Sequence, residues 1–385
     1  MNRFDRVVQF VGLSGYSYPH TRVRCYNFAS ELRRHGFKTR VMSFHDRIAP
    51  NTPEAEMYGL SDRKRISLIL RALIRLLRYP RSVLYIQKLH YHSLSALWAA
   101  RLTGQPYILD YDDFEIGADP YGVPLFCGFK NNRFQDVLFG SAEPEKILAS
   151  VAGKAAFCVA ASGFLREHLL TYTQRVVYIP TGVDTDRFVS KKTYESGPPV
   201  TVLWNGVVWG EIIRDNVLFL IDVISSLVSS GFDVVLKIVG RGPFMSEVRS
   251  YARRSGFNDR FQFIDWIEPD EMCTVVREAD IGVLPLVNDD PWTRGKSPTK
   301  LFEYMASGLP VVVSNRGEAV SVVRNEQNGL IADGRDQFIE SLKRLIISAQ
   351  SRRELGESAR KTVMERYSLP VLGSTLAETL KTYIK

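Results

Sequence analysis

The 385 residues exceed what one hydrophobic core usually covers, so two domains are expected. With 45% hydrophobic and 24% charged residues, the chain is neither disordered nor fibrous in composition. Lysine and arginine total 50 against 42 acidic residues, and the formal charge of +8 favours anionic partners: phosphorylated small molecules, nucleic acid or an anionic membrane.

Cys25, Cys127, Cys158 and Cys273 are scattered and form no C-x-x-C pair, which argues against zinc or a disulfide framework and for a reducing compartment. No apolar run approaches the roughly 20 residues of a transmembrane helix. The opening "MNRFDRVVQFVGLSG" reads as a strand and turn rather than a signal peptide, so a cytoplasmic protein is expected.

In chain order, the first strand is "RVVQFVG" (6–12). It runs into "VGLSGYSYPHTR", where Gly12, Ser14 and Gly15 allow a ligand close to the backbone or simply make a tight turn. This is no G-x-G-x-x-G fingerprint, and no suitably placed acid follows about 20 residues later, so a nicotinamide enzyme is poorly supported. After the strand "KTRVMSF" (38–44) comes a helical pattern over 63–81. There Ile66, Ile69, Leu70, Leu73 and Leu77 share one face, while Lys64, Arg71, Arg75 and Arg78 lie opposite. Two readings stand: a helix packed on the sheet with a solvated basic face, or a surface that docks on an anionic membrane through Arg71, Arg75 and Arg78.

Strands "SVLYIQ" (82–87) and "PYILDY" (106–111) follow, the latter leaving its sheet through "ILDYDDFE". Asp110, Asp112 and Asp113 are close enough to repel one another and need a cation, hydrogen-bond donors or a raised pKa. A divalent metal site, hydrogen bonds to sugar hydroxyls, general-base work and plain capping of a strand exit all fit. Strands "AAFCVA" (155–160) and "RVVYIP" (175–180) complete the first half. The polar, turn-rich stretch 181–199 has no periodicity and is the candidate linker.

The alternation then restarts with strands over 200–206, 233–240, 260–266, 280–286 and 310–315, and helices over 334–349, 351–366 and 370–384. Two doubly wound domains are therefore expected, with a cleft between them and ligands beyond the carboxyl ends of the strands. The exits "WNG" (204–206) and "VGRGP" (239–243) each precede a helix whose N-terminus suits phosphate, with Arg214 and Arg241 nearby. In "RGKSPTKLFEYMASGLPVVVSN" (294–315), Ser297 reads as an N-cap and Pro298 as the first helical residue. Lys300 falls in the first turn, where the helix dipole disfavours a cation unless an anionic ligand compensates. Glu303 shares its face, so an ordinary ion pair with Lys300 is the plain alternative.

These pieces together resemble the retaining, nucleotide-sugar-dependent glycosyltransferases of family 4, which have the GT-B fold. The matching motifs run nearly the full length: the glycine turn, "ELRRHGFKTRV" (31–41), the "DYDD" exit, "ASGFLREHL…RVVYIPTGVDTDRF" (161–188), "LKIVGRGP" (236–243), "ADIGVLPL" (279–286) and "KLFEYMASGLPVVVSN" (300–315). The resemblance implies an α/β protein of two Rossmann-like domains: 1–182 on the acceptor side, a linker over 183–199, a donor-binding domain over 200–366, and a C-terminal helix (367–385) packing back on the first domain.

It further implies that Glu303 binds the donor ribose and that Ser297, Pro298, Thr299 and Lys300 approach the diphosphate. Gly12, Ser14 and Gly15 would lie against the donor, as would Gly206, Arg214, Gly240 and Arg241, while Trp266 and Ile267 would line the base. Asp112 and Lys300 would be catalytic, and Asp110 and Asp113 would face the acceptor. Departures also stand out. Gly295 replaces a second glutamate that holds the donor sugar in many members, Val207 replaces an arginine, and Asp112 stands where a histidine is common. No metal or cofactor is expected; the UDP- or GDP-sugar is the donor substrate, and the acceptor a cell-surface glycan or lipid-linked oligosaccharide. The partners are thus these two substrates and an anionic membrane surface, not nucleic acid, with the protein peripheral on the inner face of the plasma membrane. A nucleotide-sugar 2-epimerase or a catalytically silent nucleotide-sugar-binding protein are the alternatives.

Overall fold

In the computed structural model, which describes residues 6–53, 56–57, 59–115, 132–141, 143–195 and 197–384, the chain divides into two compact units. Cys127 lies outside the described residues. Unit 1 is the chain through Thr181 together with Gly295–Ser297 and the segment from Leu369; unit 2 is Gly182–Arg294 and Pro298–Ser368.

Unit 1 holds β1 (Val7–Gly12), β2 (Lys38–Ser43), β3 (Ser82–Gln87), β4 (Tyr107–Tyr111), β5 (Phe157–Ala160) and β6 (Val176–Tyr178), all parallel in the order β2-β1-β3-β4-β5-β6. The direction of winding reverses at β1 and β3, the place where such sheets collect functional groups at their carboxyl ends. The registers Gly12↔Ser43 and Gln87↔Asp110 bring the exits of β1, β2, β3 and β4 into line. Helix α1 (Asn27–Arg34) follows a π-helical turn at Arg22–Tyr26, and β3 is preceded by α2 (Asp62–Leu77).

Unit 2 holds β7 (Val200–Asn205), β8 (Val234–Val239), β9 (Phe261–Ile264), β10 (Ile281–Leu284), β11 (Val311–Ser314) and β12 (Leu330–Ala332) in the parallel order β12-β11-β10-β7-β8-β9. Its functional helices are α3 (Glu211–Ser229), α4 (Met245–Arg254) and α5 (Thr299–Ala306). The apolar strands are covered on both faces, as parallel sheets require: Val202, Trp204 and Ile238 join one cluster, and Leu203, Val239 and Val313 the other. The last helix, α6 (Leu369–Tyr383), belongs to unit 1 and packs on α1, with Gly373 against the Glu31 side chain.

Two expectations need correction, and one edge strand lies outside the sequence pattern. The stretch 183–199 is no free linker but part of unit 2, where Tyr194 donates to the Gly308 carbonyl (2.9 Å) and Lys191 pairs with Asp280 (3.1 Å). Helix α2 keeps most of the expected stripe, with Ile69 buried and Ile66, Leu73 and Leu77 packed on the core, but it leaves Leu70 outside and draws in a neighbouring row. It buries Arg65, Leu68, Ile69, Ala72 and Leu76, leaves Leu70 and Ile74 exposed, and stops before Pro80. Leu68, Ala72 and Leu76 form an equally spaced stripe, and Arg65 is tolerated inside because its guanidinium lies 5.4 Å from the Tyr91 ring and 3.7 Å from Asp62. Strand β12 was not foreseen, being an edge strand of three residues beyond the "NG" turn at 328–329.

Candidate functional site

Each unit carries a polar constellation at the carboxyl ends of its strands. In unit 1 the exits of β1, β3 and β4 supply it. Ser14 accepts or donates across 2.8 Å to His20 Nε2, and the His20 carbonyl accepts from Gln87 Nε2 at 2.9 Å. The Gln87 amide also reaches Asp112 Oδ2 at 3.4 Å. Gly12 packs on Thr21 and Gln87, and Gly15 on Asp46 and His45, so this turn is filled from within unit 1.

Lys88, at the end of β3, holds the acidic exit of β4 together. Its ammonium donates to Asp113 (3.0 Å) and Glu115 (2.8 Å) and lies 3.3 Å from Asp112 Oδ1. Burial would discharge this lysine, but three carboxylates outweigh it and hold its pKa well above the ordinary value. Burial pushes the Asp112 carboxyl up to about 7, against the pull of Lys88 and aided by the Asp113 and Asp110 charges. Asp113 is half-buried, which would raise it, yet Lys88 and Lys296 keep it below the usual carboxylate range. Burial, reinforced by the charges of Lys88 and Lys296, pulls His20 down to about 3, so its ring is neutral at neutral pH.

Asp110 does not face an acceptor, contrary to expectation. Arg24 grips its two oxygens at 2.9 and 2.7 Å, Tyr85 donates to it at 2.9 Å, and both charged side chains are fully buried. Arg24 also donates to the carbonyls of Ile179 and Pro180, making the pair a structural tie between α1's approach, β4 and the end of β6.

Gly295–Ser297 complete this constellation. The Gly295 carbonyl accepts from Ser162, Lys296 lies 3.9 Å from Asp113, and Ser297 donates its N–H to the Asp112 carbonyl. Ser297 is not the N-cap it was expected to be. Its Oγ accepts from the Thr181 N–H at 3.1 Å, and α5 starts at Thr299 with Pro298 as N-cap.

In unit 2 the exits of β7 and β8 stand back to back. At Gly240 (φ 140°) a Cβ would fall 1.9 Å from the Gly206 carbonyl oxygen, so only glycine allows the approach. A Cβ at Gly206 would meet the Lys300 ammonium at 2.8 Å. That ammonium rests 4.1 Å from the Trp204 ring centroid, a cation–π seat at the first turn of α5. Thr299 opens the helix, and Glu303, 8% exposed, lies one turn beyond Lys300. Tyr304 is fixed between Asn205 groups, which locks α5 to the β7 exit. Arg241 stacks on Trp266 at 4.2 Å, with Ile267 packed beside the lower cluster of the unit. Arg214 is engaged elsewhere: Asp215 (3.0 Å) and Glu247 (3.1 Å) hold its guanidinium at the α3–α4 surface.

The structure thus joins Gly206, Gly240, Lys300 and Trp204 in one group, Arg241 and Trp266 in a second, and Ser14, Asp112, Asp113 and Ser297 in a third. Sequence reasoning missed Lys88, His20 and Gln87. "IQKLHYH" (86–92) offers only a strand end, and the lysine's role emerges when parallel pairing sets Gln87 opposite Asp110. Among the described residues no group of three or more His, Cys, Asp or Glu is placed to hold a metal ion.

Family comparisons cover both units: "Glycosyltransferase Family 4" matches residues 21–187 and "Glycosyl transferases group 1" residues 200–348. A GDP-mannose-dependent alpha-(1-6)-phosphatidylinositol monomannoside mannosyltransferase of Mycobacterium tuberculosis is 27% identical over 220 residues, 53% of this chain. The match spans 55% of that relative, so the chain covers about half the length of the curated relatives it matches. Among solved structures, sucrose-phosphate synthase of Thermosynechococcus elongatus superposes with a TM-score of 0.73 at 12% identity, covering 98% of both chains. Anabaena HepE in complex with UDP gives 0.68 at 14% identity, covering 98% of this chain and all of that one.

Proposed function

Because this chain belongs to glycosyltransferase family 4 and has the GT-B fold, we propose that it moves a hexose from a UDP- or GDP-sugar to a glycan or lipid-linked acceptor, with retention of configuration. The observation that carries this reading is the seat of Lys300: a cation in the first turn of α5, held over Trp204 and against the glycine exit at Gly206, where no Cβ keeps it away. A cation at a helix N-terminus favours an anion in front of it. Breaking a sugar–diphosphate bond develops negative charge on the leaving phosphate, which Lys300 and the opening N–H groups of α5 would stabilise. Glu303, one turn on, would accept from ribose hydroxyls, and the Arg241–Trp266 stack offers a flat surface for the base. The exposed Leu70 and Ile74 among the arginines of α2 support a protein peripheral on the inner, anionic face of the plasma membrane.

A second reading is favoured by one observation. Gly295 is packed on Phe114 and has no room for the carboxylate found there in many relatives, which suits a protein that binds the donor without turnover. One assay separates the two. Sugar release and transfer are measured with UDP- and GDP-hexoses, with and without a polyprenyl- or phosphatidylinositol-linked acceptor. Transfer that falls at least 100-fold in Lys300→Ala and Glu303→Ala supports the transferase. Nucleotide binding without turnover of any donor would leave only the silent reading standing.

A further inference from the structure

We propose that Lys88 is a positioning residue for the transfer reaction: it binds Asp113 and Glu115 and so presents Asp112 as the ionised carboxylate that accepts a hydrogen bond from the incoming acceptor hydroxyl. This rests on the transferase reading above.

Three observations carry it. Lys88 is one of two non-glycine residues with positive φ among the described residues (58°; the other is Glu326), and it lies at a strand exit of the polar constellation. A lysine seldom holds a left-handed backbone unless its surroundings fix it, and such outliers gather at functional sites. Its backbone N–H is tied to the Asp110 carbonyl at 2.8 Å, and the carbonyl just before it accepts from His92 at 2.9 Å. The bend therefore turns the ammonium back over the β4 exit, where it makes three ion pairs from one point. Lastly, these pairs are unequal. Asp113 and Glu115 receive aligned hydrogen bonds, whereas Asp112 Oδ1 is buried and accepts none. A buried carboxylate oxygen with a cation 3.3 Å away but no donor aligned on it has an acceptor position to offer.

The groups facing Asp112 set its charge. Lys88 at the β3 exit and Arg24, which is paired with Asp110, favour ionisation; Asp110, Asp113 and burial oppose it. Cys25 stays a neutral thiol, raised by burial, and His20 stays neutral. Lys296 bears on Asp113, and Glu115 is bound to Lys88 itself. Lys88 is thus the one cation in direct contact with Asp112 among the described residues. Removing it moves ionisation of Asp112 to higher pH, because burial and the Asp110 and Asp113 charges then face only the more distant Arg24.

The test compares wild type with Lys88→Asn, which tolerates the left-handed backbone, and Lys88→Arg, which keeps the charge. Transfer to the acceptor is followed from pH 5.5 to 9, and binding of UDP and GDP by tryptophan fluorescence. In Lys88→Asn the acid limb should move up by at least one pH unit and kcat fall at least tenfold at pH 7, with nucleotide Kd within twofold of wild type. Lys88→Arg should retain the wild-type limb. An unmoved limb in Lys88→Asn overturns the proposal, as does an equal loss of nucleotide affinity and thermal stability in both variants. A wild type inactive on every donor would instead remove the transferase premise, which the nucleotide and transfer readouts tell apart.

Discussion

Phe114 lies against Gly295 so closely that a Cβ at 295 would come 2.5 Å from Phe114 Cβ and 3.0 Å from its backbone nitrogen. The glycine cannot retreat, since Ser162 holds its carbonyl and Ser297 is tied to both Asp112 and Thr181. Restoring the glutamate that many relatives have here should therefore harm the protein. Gly295→Glu and Gly295→Ala are both expected to lose about 1–3 kcal/mol by overpacking, read from the denaturant midpoint, with no gain in transfer rate. A Gly295→Glu protein of wild-type stability and higher activity would show the packing account to be wrong.

Asp110 and Asp113 look alike in "DYDDFE" but sit in different chemistry. Asp110 is the fully buried partner of Arg24, so Asp110→Ala leaves a guanidinium inside without its counter-ion. Breaking such a pair destabilises by about 3–5 kcal/mol. Asp113→Asn should lower thermal stability far less, because the amide oxygen still accepts from Lys88. Calorimetry on both variants decides it; equal stability of Asp110→Ala and wild type, with only the acceptor KM raised, would return Asp110 to the acceptor side.

That contrast shows what the amino-acid order discloses. The strand runs of "VVQFVG" and "PVVVSN", the glycine exits and Lys300 are local patterns, and each is found where its period and turn chemistry indicate. Which of three neighbouring aspartates points inward depends on partners 86 residues away at Arg24 and 22 to 25 away at Lys88. Pairing at that separation is set by sheet order, not by spacing. The same holds for α2, where Arg65 turns inward onto the Tyr91 ring, a partner that helix periodicity does not disclose.

His20, His90 and His92 make stability depend on pH. Burial lowers His20 to about 3 and His92 to about 4, and holds His90 well below the ordinary histidine value. Between pH 6.5 and 4 the unfolded chain binds protons at these rings and the folded chain does not, so stability falls as pH drops through that window. For His20 and His92 the fully developed shift is worth on the order of 3 kcal/mol each. Asp112 acts the other way, since between 3.8 and about 7 the folded state keeps a proton the unfolded state releases. Three rings outweigh one carboxyl, so Tm should fall steadily from pH 7 to 4.5, less steeply in His92→Gln. A Tm constant or rising on acidification contradicts the sign derived from these groups.

The membrane-docking prediction for α2 follows from which side chains that helix leaves outside. Ile74 is 60% and Leu70 47% exposed, with Arg63, Lys64, Arg71 and Arg78 exposed around them. Apolar side chains ringed by cations suit the headgroup region of an anionic bilayer, where each cation adds about 1 kcal/mol at low salt. Arg75 contributes less, because its guanidinium donates to the Arg47 carbonyl. Vesicles containing phosphatidylglycerol should therefore co-sediment the protein. Arg71→Glu with Arg78→Glu should release it in a salt-dependent manner, Leu70→Ser with Ile74→Ser should weaken binding at all salt concentrations, and Arg75→Glu alone should do little. No helix among the described residues is long and apolar enough to cross a membrane. Binding that charge reversal leaves unchanged would place the contact elsewhere on the chain.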